Sequence, residues 1–171
     1  MVLPRRTVLA LAASAGLAGC GFKLRASRPL PFATIAVTPE NAAGVPGELG
    51  RYLGAALRPL APSAEGEGPE VVLDILTENR EKLVVGVNAS GQVREYELRM
   101  RVTFQLRAVR GVRLIEPTTI EQHRSISFSE SAVLAKEAEE ALLYRDMQSD
   151  IVQQLLRRLA AVKPVNPPAA Q

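Results

Sequence analysis

The sequence predicts an α+β fold, a two-layer sandwich in which two helices cover one face of a four-stranded sheet. Three observations predict it. Residues 95–107 alternate between apolar and mostly charged side chains, as a strand does when one face packs on a core and the other meets water. Residues 46–57 and 134–161 repeat apolar residues every three or four positions, the spacing of amphipathic helices. The order strand, helix, hairpin, strand, helix gives two layers.

The first strand and helix are short. Residues 35–37 form an apolar strand that stops at Pro39, and Pro46 suits a helix start while Pro59 limits its end. The helix has one predicted face, formed by Glu48, Leu49, Tyr52, Leu53, Ala56 and Leu57. The sheet is mostly antiparallel, or mixed if the first strand pairs in parallel.

A hairpin and a further strand make up the middle of the chain. In residues 70–87, Leu73, Ile75 and Thr77 are predicted to share a face, and a turn follows at 89–91. The inner face of the next strand is Tyr96, Leu98, Met100, Val102, Phe104 and Leu106. A turn at 110–112 leads to a strand over 118–128, whose inner residues are Ile120, Ile126 and Phe128.

The last helix is the longest element. Ser129 and Ser131 are predicted caps, and residues 134–161 carry an apolar stripe. The stripe consists of Leu142, Met147, Ile151, Leu155 and Leu159. The sandwich domain therefore spans residues 34–162, and the proline-rich residues 163–171 are predicted to be a disordered tail.

Residues 17–20, Leu-Ala-Gly-Cys, match the lipobox of bacterial lipoproteins. Arg5 and Arg6 precede an apolar run that is too short to span a bilayer but fits a secretory signal. We therefore expect removal of residues 1–19, lipidation of Cys20 and a tether over residues 20–33. The alternative is an ordinary signal peptide with an incidental cysteine, and the arginine pair leaves the Sec and twin-arginine export routes open.

Composition limits the partners. Enterobacterial lipoproteins that stay at the inner membrane commonly have an aspartate directly after the lipidated cysteine, and this chain has Gly21 there. By resemblance to those lipoproteins, we expect the chain to be at the outer membrane, facing the periplasm. Arg5 and Arg6 account for two of the three excess positive charges, so the processed chain is nearly neutral and gives no case for nucleic-acid binding. Lipidation uses the one cysteine, which leaves no disulfide framework.

Several segments together resemble a known family. They are residues 20–25 (CGFKLR), residues 91–98 (GQVREYEL), residues 134–139 (LAKEAE), and the last helix with residues 144–147 (YRDM) and 154–159 (QLLRRL). This set is similar to the lipopolysaccharide-assembly lipoprotein family, LptE, although Lys23 stands near the position where that family suggests a histidine. The resemblance covers most of the processed chain, in the family's order.

The resemblance implies a non-enzymatic role. The chain would plug an LptD-like outer-membrane β-barrel, help it to assemble and help to insert lipopolysaccharide into the outer leaflet. The interior of a large outer-membrane barrel is polar, and the charged face of residues 95–107 suits it. The alternative is an accessory lipoprotein of another envelope transporter or secretion pore.

Direct contact with lipopolysaccharide calls for Lys or Arg beside an apolar surface, because lipid A carries phosphates. The candidates, in order, are Lys136, Arg94, Arg80 and Lys82. Lys136 comes first because it lies in the family match, although a solvated helix lysine is the plain alternative. Arg99 and Arg101 are expected to pair with acids on adjacent strands instead.

No catalytic, metal or cofactor site is predicted. His123 is the single histidine and lies on the polar face of its predicted strand, without a second metal ligand. The sequence has no nucleophile elbow, phosphate-binding glycine loop or zinc spacing, and Asp74, Asp146 and Asp150 fall on different elements. A periplasmic hydrolase acting through His123 is the remaining alternative.

Overall fold

Four strands and two helices make up the part of the chain that the computed structural model describes, residues 30–60 and 68–163. In chain order they are β1 (Ile35–Thr38), α1 (Val45–Leu53), β2 (Val71–Val87), β3 (Val93–Ala108), β4 (Arg113–Ser127) and α2 (Val133–Ala160). The predicted signal peptide, Cys20, most of the tether, residues 61–67 of the loop and residues 164–171 lie outside the described residues.

The sheet order is β1-β2-β3-β4. β1 pairs in parallel with the start of β2, while β2–β3 and β3–β4 are antiparallel hairpins. The predicted four-stranded sheet is therefore confirmed, and it is the mixed form. Parallel pairing follows from α1, which lies between β1 and β2 and returns the chain to the same end of the sheet.

Both helices pack on one face of the sheet around one core, which confirms the two-layer sandwich. The predicted inner residues of β3 from Leu98 to Leu106 are fully buried. They meet four residues of α2, namely Met147, Ile151, Leu155 and Leu159, together with Val45, Leu49 and Leu53 of α1. Burial of these apolar side chains is the main source of stability for the sandwich.

The prediction for one residue of the apolar stripe of α2 is wrong. Leu142 is 58% exposed, whereas the partly buried Leu143 packs against the core. Leu143 precedes Met147 by four positions, about one helical turn, and therefore shares its face; Leu142 is five positions away and points elsewhere.

A β-bulge changes the phase of β2. The register with β3 shifts between Ile75 and Thr77, so that Leu76 is an extra residue and the alternation restarts after it. Thr77 pairs with Thr103 on the open face, and its predicted place beside Ile75 is wrong.

The bulge has a consequence for the charged residues that follow. Glu78, Arg80 and Lys82 face the helix layer, since their cross-strand partners are the buried core residues Val102, Met100 and Leu98. A regular strand would have placed these three side chains on the same face as Leu76.

Several predicted boundaries also differ. β4 begins at Arg113 and ends before Phe128, and α1 ends at Leu53, where Gly54 adopts a positive φ. Ser129 and Ser131 are not caps of α2: their hydroxyls lie 3.0 Å apart, and α2 begins after Ala132 without a side-chain cap.

The N-terminus of α1 is capped from the sheet. The Glu78 carboxylate accepts a hydrogen bond of 3.0 Å from the backbone N–H of Val45. Gly44 has a φ of 75°, and a Cβ there would lie 2.6 Å from the same carboxylate. Only glycine satisfies both the backbone angle and the close approach.

Candidate functional site

A small cleft of about 70 Å³ opens between the outer half of the β2–β3 hairpin, the end of β4 and the first turns of α2. Its lining combines two lysines, two acids and an apolar floor: Lys82, Tyr96, Ile126, Ser127, Phe128, Val133, Lys136, Glu137 and Glu140. Lys82 and Lys136, two of the four predicted lipopolysaccharide-binding candidates, therefore come together although they are far apart in sequence.

Lys82 lies between a carboxylate and an aromatic ring. Its Nζ donates to Oε2 of Glu140 at 2.6 Å and stands 4.4 Å from the centre of the Tyr96 ring, within the range of a cation–π interaction. The hydrogen bond to Glu140 raises the pKa of Lys82 above its ordinary value. The residue is therefore a fixed cation at neutral pH.

Lys136 ties the start of α2 to the end of β4. Its Nζ donates to Oγ of Ser127 at 2.9 Å and to Oε2 of Glu139 at 2.8 Å, and its side chain is 23% exposed. An ammonium carries three N–H donors, so these two bonds within the described residues leave one donor for a further acceptor. Lys136 is thus more enclosed than the plain solvated helix lysine considered above.

Arg80 is a third cation of β2 and α2 in this region, and it contacts α2 outside the cleft. Its guanidinium donates to Oε1 of Gln148 at 2.9 Å and lies 5.4 Å from the centre of the Tyr144 ring. A longer contact of 3.5 Å joins it to Glu78. Arg80 and Lys82 therefore reach α2 from neighbouring positions on one side of β2.

Arg94 borders the cleft with its backbone. Its carbonyl accepts a hydrogen bond of 2.8 Å from the N–H of Phe128. Its exposed guanidinium donates to Gln92 at 3.4 Å, beside the hairpin turn, and lies outside the cleft lining. The structure thus places Arg80, Lys82 and Lys136 along the contact between β2 and α2, and Arg94 at the margin of the cleft.

The aromatic residues of this region were not identified as site residues from the sequence. The rings of Tyr96 and Phe128 meet edge to face at a centroid distance of 5.5 Å, and the hydroxyl of Tyr144 donates to the Glu81 carbonyl at 2.8 Å. Burial raises the pKa of Tyr144. The sequence signal for Tyr96 and Phe128 was apolar patterning, and Tyr144 lies in one of the segments that resemble the LptE family, but neither signal shows which side chains come into contact.

A buried carboxylate lies behind Arg80. Glu48 of α1 accepts hydrogen bonds from Nε2 of Gln148 at 2.7 Å and from Oγ of Ser149 at 2.9 Å. Because Gln148 donates to Glu48 and accepts from Arg80, its amide has one orientation that satisfies both partners. Glu48 therefore positions Arg80 through Gln148.

The open face of the sheet contains paired charges. Arg99 contacts Glu97 at 2.7 Å and Glu121 of β4 at 3.2 Å, and Arg101 pairs with Glu81 of β2. Pairing of both arginines with acids on adjacent strands was predicted and is confirmed. His123 lies exposed on this face.

Asp74 joins three strands at one end of the open face. Its carboxylate accepts hydrogen bonds from Thr38, Gln105 and Arg107, the first and last at 2.7 and 2.8 Å. Burial raises the pKa of Asp74, but these hydrogen bonds outweigh it and hold the pKa below its ordinary value of 3.8.

In residues 30–60 and 68–163, no cluster of three or more His, Cys, Asp or Glu side chains could hold a metal ion. Nor does this part of the chain contain a helix with the length and apolar character needed to cross a bilayer.

Comparison with family models gives one match over residues 32–159, to a family described as lipopolysaccharide-assembly, LptE. The match spans more than half of the chain. The chain belongs to the LptE family. LptE proteins are accessory lipoproteins of lipopolysaccharide assembly, are not enzymes, and are associated with the outer membrane. No curated protein matches the sequence at a significant level.

Solved lipoprotein structures are similar to this LptE chain. Uncharacterized lipoprotein B from Nitrosomonas europaea is 36% identical with a TM-score of 0.66, over 82% of this chain and 91% of that one. A minor lipoprotein from Acinetobacter baumannii is 25% identical with a TM-score of 0.60, over 81% and 100%. Rare lipoprotein B from Shewanella oneidensis, at 21% identity and a TM-score of 0.59 over 75% and 92%, shows the same fold.

Proposed function

We propose that this LptE-family chain is the lipid-anchored partner of an LptD-like outer-membrane β-barrel, that it plugs and helps to assemble this barrel, and that it contacts lipopolysaccharide directly. The observation that carries the proposal is the cleft in which Lys82 and Lys136 stand beside an apolar and aromatic floor. In a family of lipopolysaccharide-assembly proteins, two ammonium groups in a cleft with an apolar floor suit a phosphate group of lipid A.

A phosphate group has a physical reason to bind at Lys136. The ammonium has a donor in addition to those that contact Ser127 and Glu139, and bonds between an ammonium and a phosphate are charge-assisted and short. A phosphate could also replace Glu139, an exposed partner whose ion pair is individually weak. Arg94 and Arg80 supply further cations at the two ends of this region.

The open face of the sheet supports the plug role. Its arginines are paired with glutamates on the same face, which gives a polar surface with little net charge. The lumen of a large outer-membrane barrel is polar, so such a face can lie against the lumen wall without burying unpaired charge. Lipidation of Cys20 and the tether of residues 20–33 would hold the domain at the periplasmic side of the membrane.

The test is depletion of the chain in the bacterium that encodes it, followed by complementation with tagged variants. We expect tagged wild-type protein to co-purify with one large β-barrel protein and to restore surface lipopolysaccharide. Lys136→Asp should still recover the barrel but should reduce lipopolysaccharide bound to the chain by at least about tenfold, because it loses one charge-assisted hydrogen bond and adds a negative charge beside the phosphate.

Arg110→Asp is the matched control, because Arg110 is an exposed cation in the turn at the opposite end of β3 and should change neither result. Normal barrel maturation and normal surface lipopolysaccharide after depletion would contradict the proposal. Recovery of a different envelope pore would favour the accessory-lipoprotein alternative instead.

A further inference from the structure

Exposed apolar residues are concentrated at the tip of the β2–β3 hairpin and at the start of α2. Val85 is 53% exposed and Leu134 is 82% exposed. Their exposed apolar neighbours are Leu83, Val84, Val87 and Val133. Six exposed apolar side chains close together on a protein surface are unfavourably solvated, and such a patch is typical of a binding surface.

These residues adjoin the cleft. Val84 pairs across the hairpin with Tyr96 and lies two positions beyond Lys82, on the same side of β2. Val133 lines the cleft together with Lys136, and Leu134 follows it directly. The helix-facing side of β2 therefore changes from cationic to apolar toward the tip, in the order Arg80, Lys82, Val84.

The small size of the cleft limits what can enter it. Its volume of about 70 Å³ is far below the roughly 300–1,000 Å³ of sites that enclose a drug-sized ligand. It can admit an anionic group but not a hydrocarbon chain. Any chain attached to that group must lie outside the cleft, and the exposed apolar residues are the adjacent surface.

We propose that Val84, Val85, Val87, Val133 and Leu134 form an acyl-chain subsite, which binds fatty acyl chains of the same lipid A whose phosphate is held by Lys82 and Lys136. This inference rests on the proposed function and adds to it the hydrocarbon part of the ligand. The ammonium groups of Lys82 and Lys136 offer donors to an anionic headgroup, and the order of cations and apolar residues along β2 orients the lipid with its chains toward the hairpin tip.

The hairpin tip is preformed for this role. Oδ1 of Asn88 accepts hydrogen bonds from the N–H groups of Ser90 and Gln92, at 3.0 and 2.9 Å. Gly91 supplies the positive φ that closes the turn. Since the loop is already ordered by its own hydrogen bonds, little conformational entropy is lost when a chain packs against it.

Photo-crosslinking in living cells tests the subsite with the full chain in place. A benzophenone amino acid is introduced at Val85 or at Leu134, and, as a matched control, at Val112, which is 64% exposed in the turn at the opposite end of β3. We expect lipopolysaccharide adducts at the first two positions and none at Val112. Mass spectrometry of the tryptic peptide should locate the crosslink on a fatty acyl chain.

A second measurement keeps the probe at one position and changes the surface around it. Val84→Thr, Val85→Thr and Leu134→Gln together keep strand and helix propensities but make the surface polar. With the probe at Val87, this variant should give about tenfold less lipopolysaccharide adduct, because apolar burial is lost. Val109→Thr with Val112→Thr is the control and should change nothing.

The outcomes separate this inference from the proposed function. Crosslinks to the sugar alone, to phospholipid alone or to a barrel protein alone would overturn the acyl-chain subsite. An unchanged adduct yield in the polar variant would also overturn it. In each of these cases the proposed function would still be tested independently, by recovery of the barrel and by the effect of Lys136→Asp on lipopolysaccharide binding. Loss of both barrel recovery and lipopolysaccharide effects would instead reject the proposed function and the subsite together.

Discussion

The cleft and the open face of the sheet use the same residue types but arrange them differently. On the open face, arginines and glutamates project side by side from neighbouring strands of one sheet. At the cleft, the cations come from β2 and α2, and their partners include aromatic rings and acids of the helix. The first arrangement neutralises charge within a flat surface, whereas the second holds cations at the edge of an apolar surface.

A one-residue bulge in β2 creates this difference. After Leu76, the residues Arg80 and Lys82 face α2, while Glu81 moves to the open face and meets Arg101. Neither the composition of β2 nor its neighbours specify which cations will be available to a ligand. The side of the sheet on which a charge emerges determines whether it serves the fold or a binding site.

The largest stability effect should appear when the buried carboxylate that supports Arg80, beside the cleft, is compared with an exposed carboxylate of the open face. Glu48→Ala deletes a buried acceptor of two inter-helix hydrogen bonds and should lower the free energy of unfolding by about 1–2 kcal/mol. Glu121→Ala removes an exposed partner of Arg99 and should cost less than about 1 kcal/mol. Urea denaturation of both variants measures the two values, and equal costs would contradict the distinction.

A smaller effect with a pH signature is expected on the open face. The folded-state pKa of Asp74 is lowered, so its contribution to stability is fully present above the ordinary value of 3.8 and is lost as the pH falls through the lower, folded-state value. Asp74→Asn should therefore destabilise the protein by about 1 kcal/mol at neutral pH.

Below pH 3.8 the difference in unfolding free energy between wild type and Asp74→Asn should shrink. Denaturation curves across this range measure it. Asp150→Asn, which removes the exposed partner of Arg124, controls for loss of one negative charge. A difference that stays constant with pH would show that the Asp74 hydrogen bonds do not favour its ionised form.

The smallest stability effect, and the most informative contrast, compares one cation from each region. Lys82→Met and Arg101→Met each remove one partly exposed ion pair, and each should change the free energy of unfolding by less than about 1 kcal/mol. Only Lys82→Met should lower lipopolysaccharide crosslinking at Val85. An equal decrease for Arg101→Met would mean that the two regions do not divide binding and folding as described.

The main features of the fold could be predicted from the sequence because they depend on periodicity. The alternation in β3 identifies its buried face from Leu98 to Leu106, and the spacing of Met147, Ile151 and Leu155 identifies the inner face of α2. Leu142 was assigned wrongly because an apolar residue next to the stripe differs from a member of it only by helical phase.

The site was harder to predict, because its parts are joined only in three dimensions. Family resemblance pointed to Lys136 and Arg94, but the contact of Lys82 with Tyr96 depends on the register shift after Ile75, which has no sequence signature. The cap of α1 by Glu78 was missed for a related reason. Its donor and acceptor lie on elements that are distant in sequence, so no local capping pattern exists.

The parallel pairing of β1 with β2 determines how far the point where the chain enters the sheet lies from the cleft. The described chain enters at Leu30, and β1 pairs with the first residues of β2, while the cleft and hairpin lie at the other end of that strand. β2 has 17 residues, which at about 3.3 Å per residue gives a length of roughly 55 Å. A bilayer with its headgroups is about 40–45 Å thick. Lys82 and Val84, where cations and apolar residues meet, lie 11 and 13 residues beyond Val71, or roughly 36–43 Å along the strand. The end where the chain enters is therefore separated from them by about the thickness of a membrane.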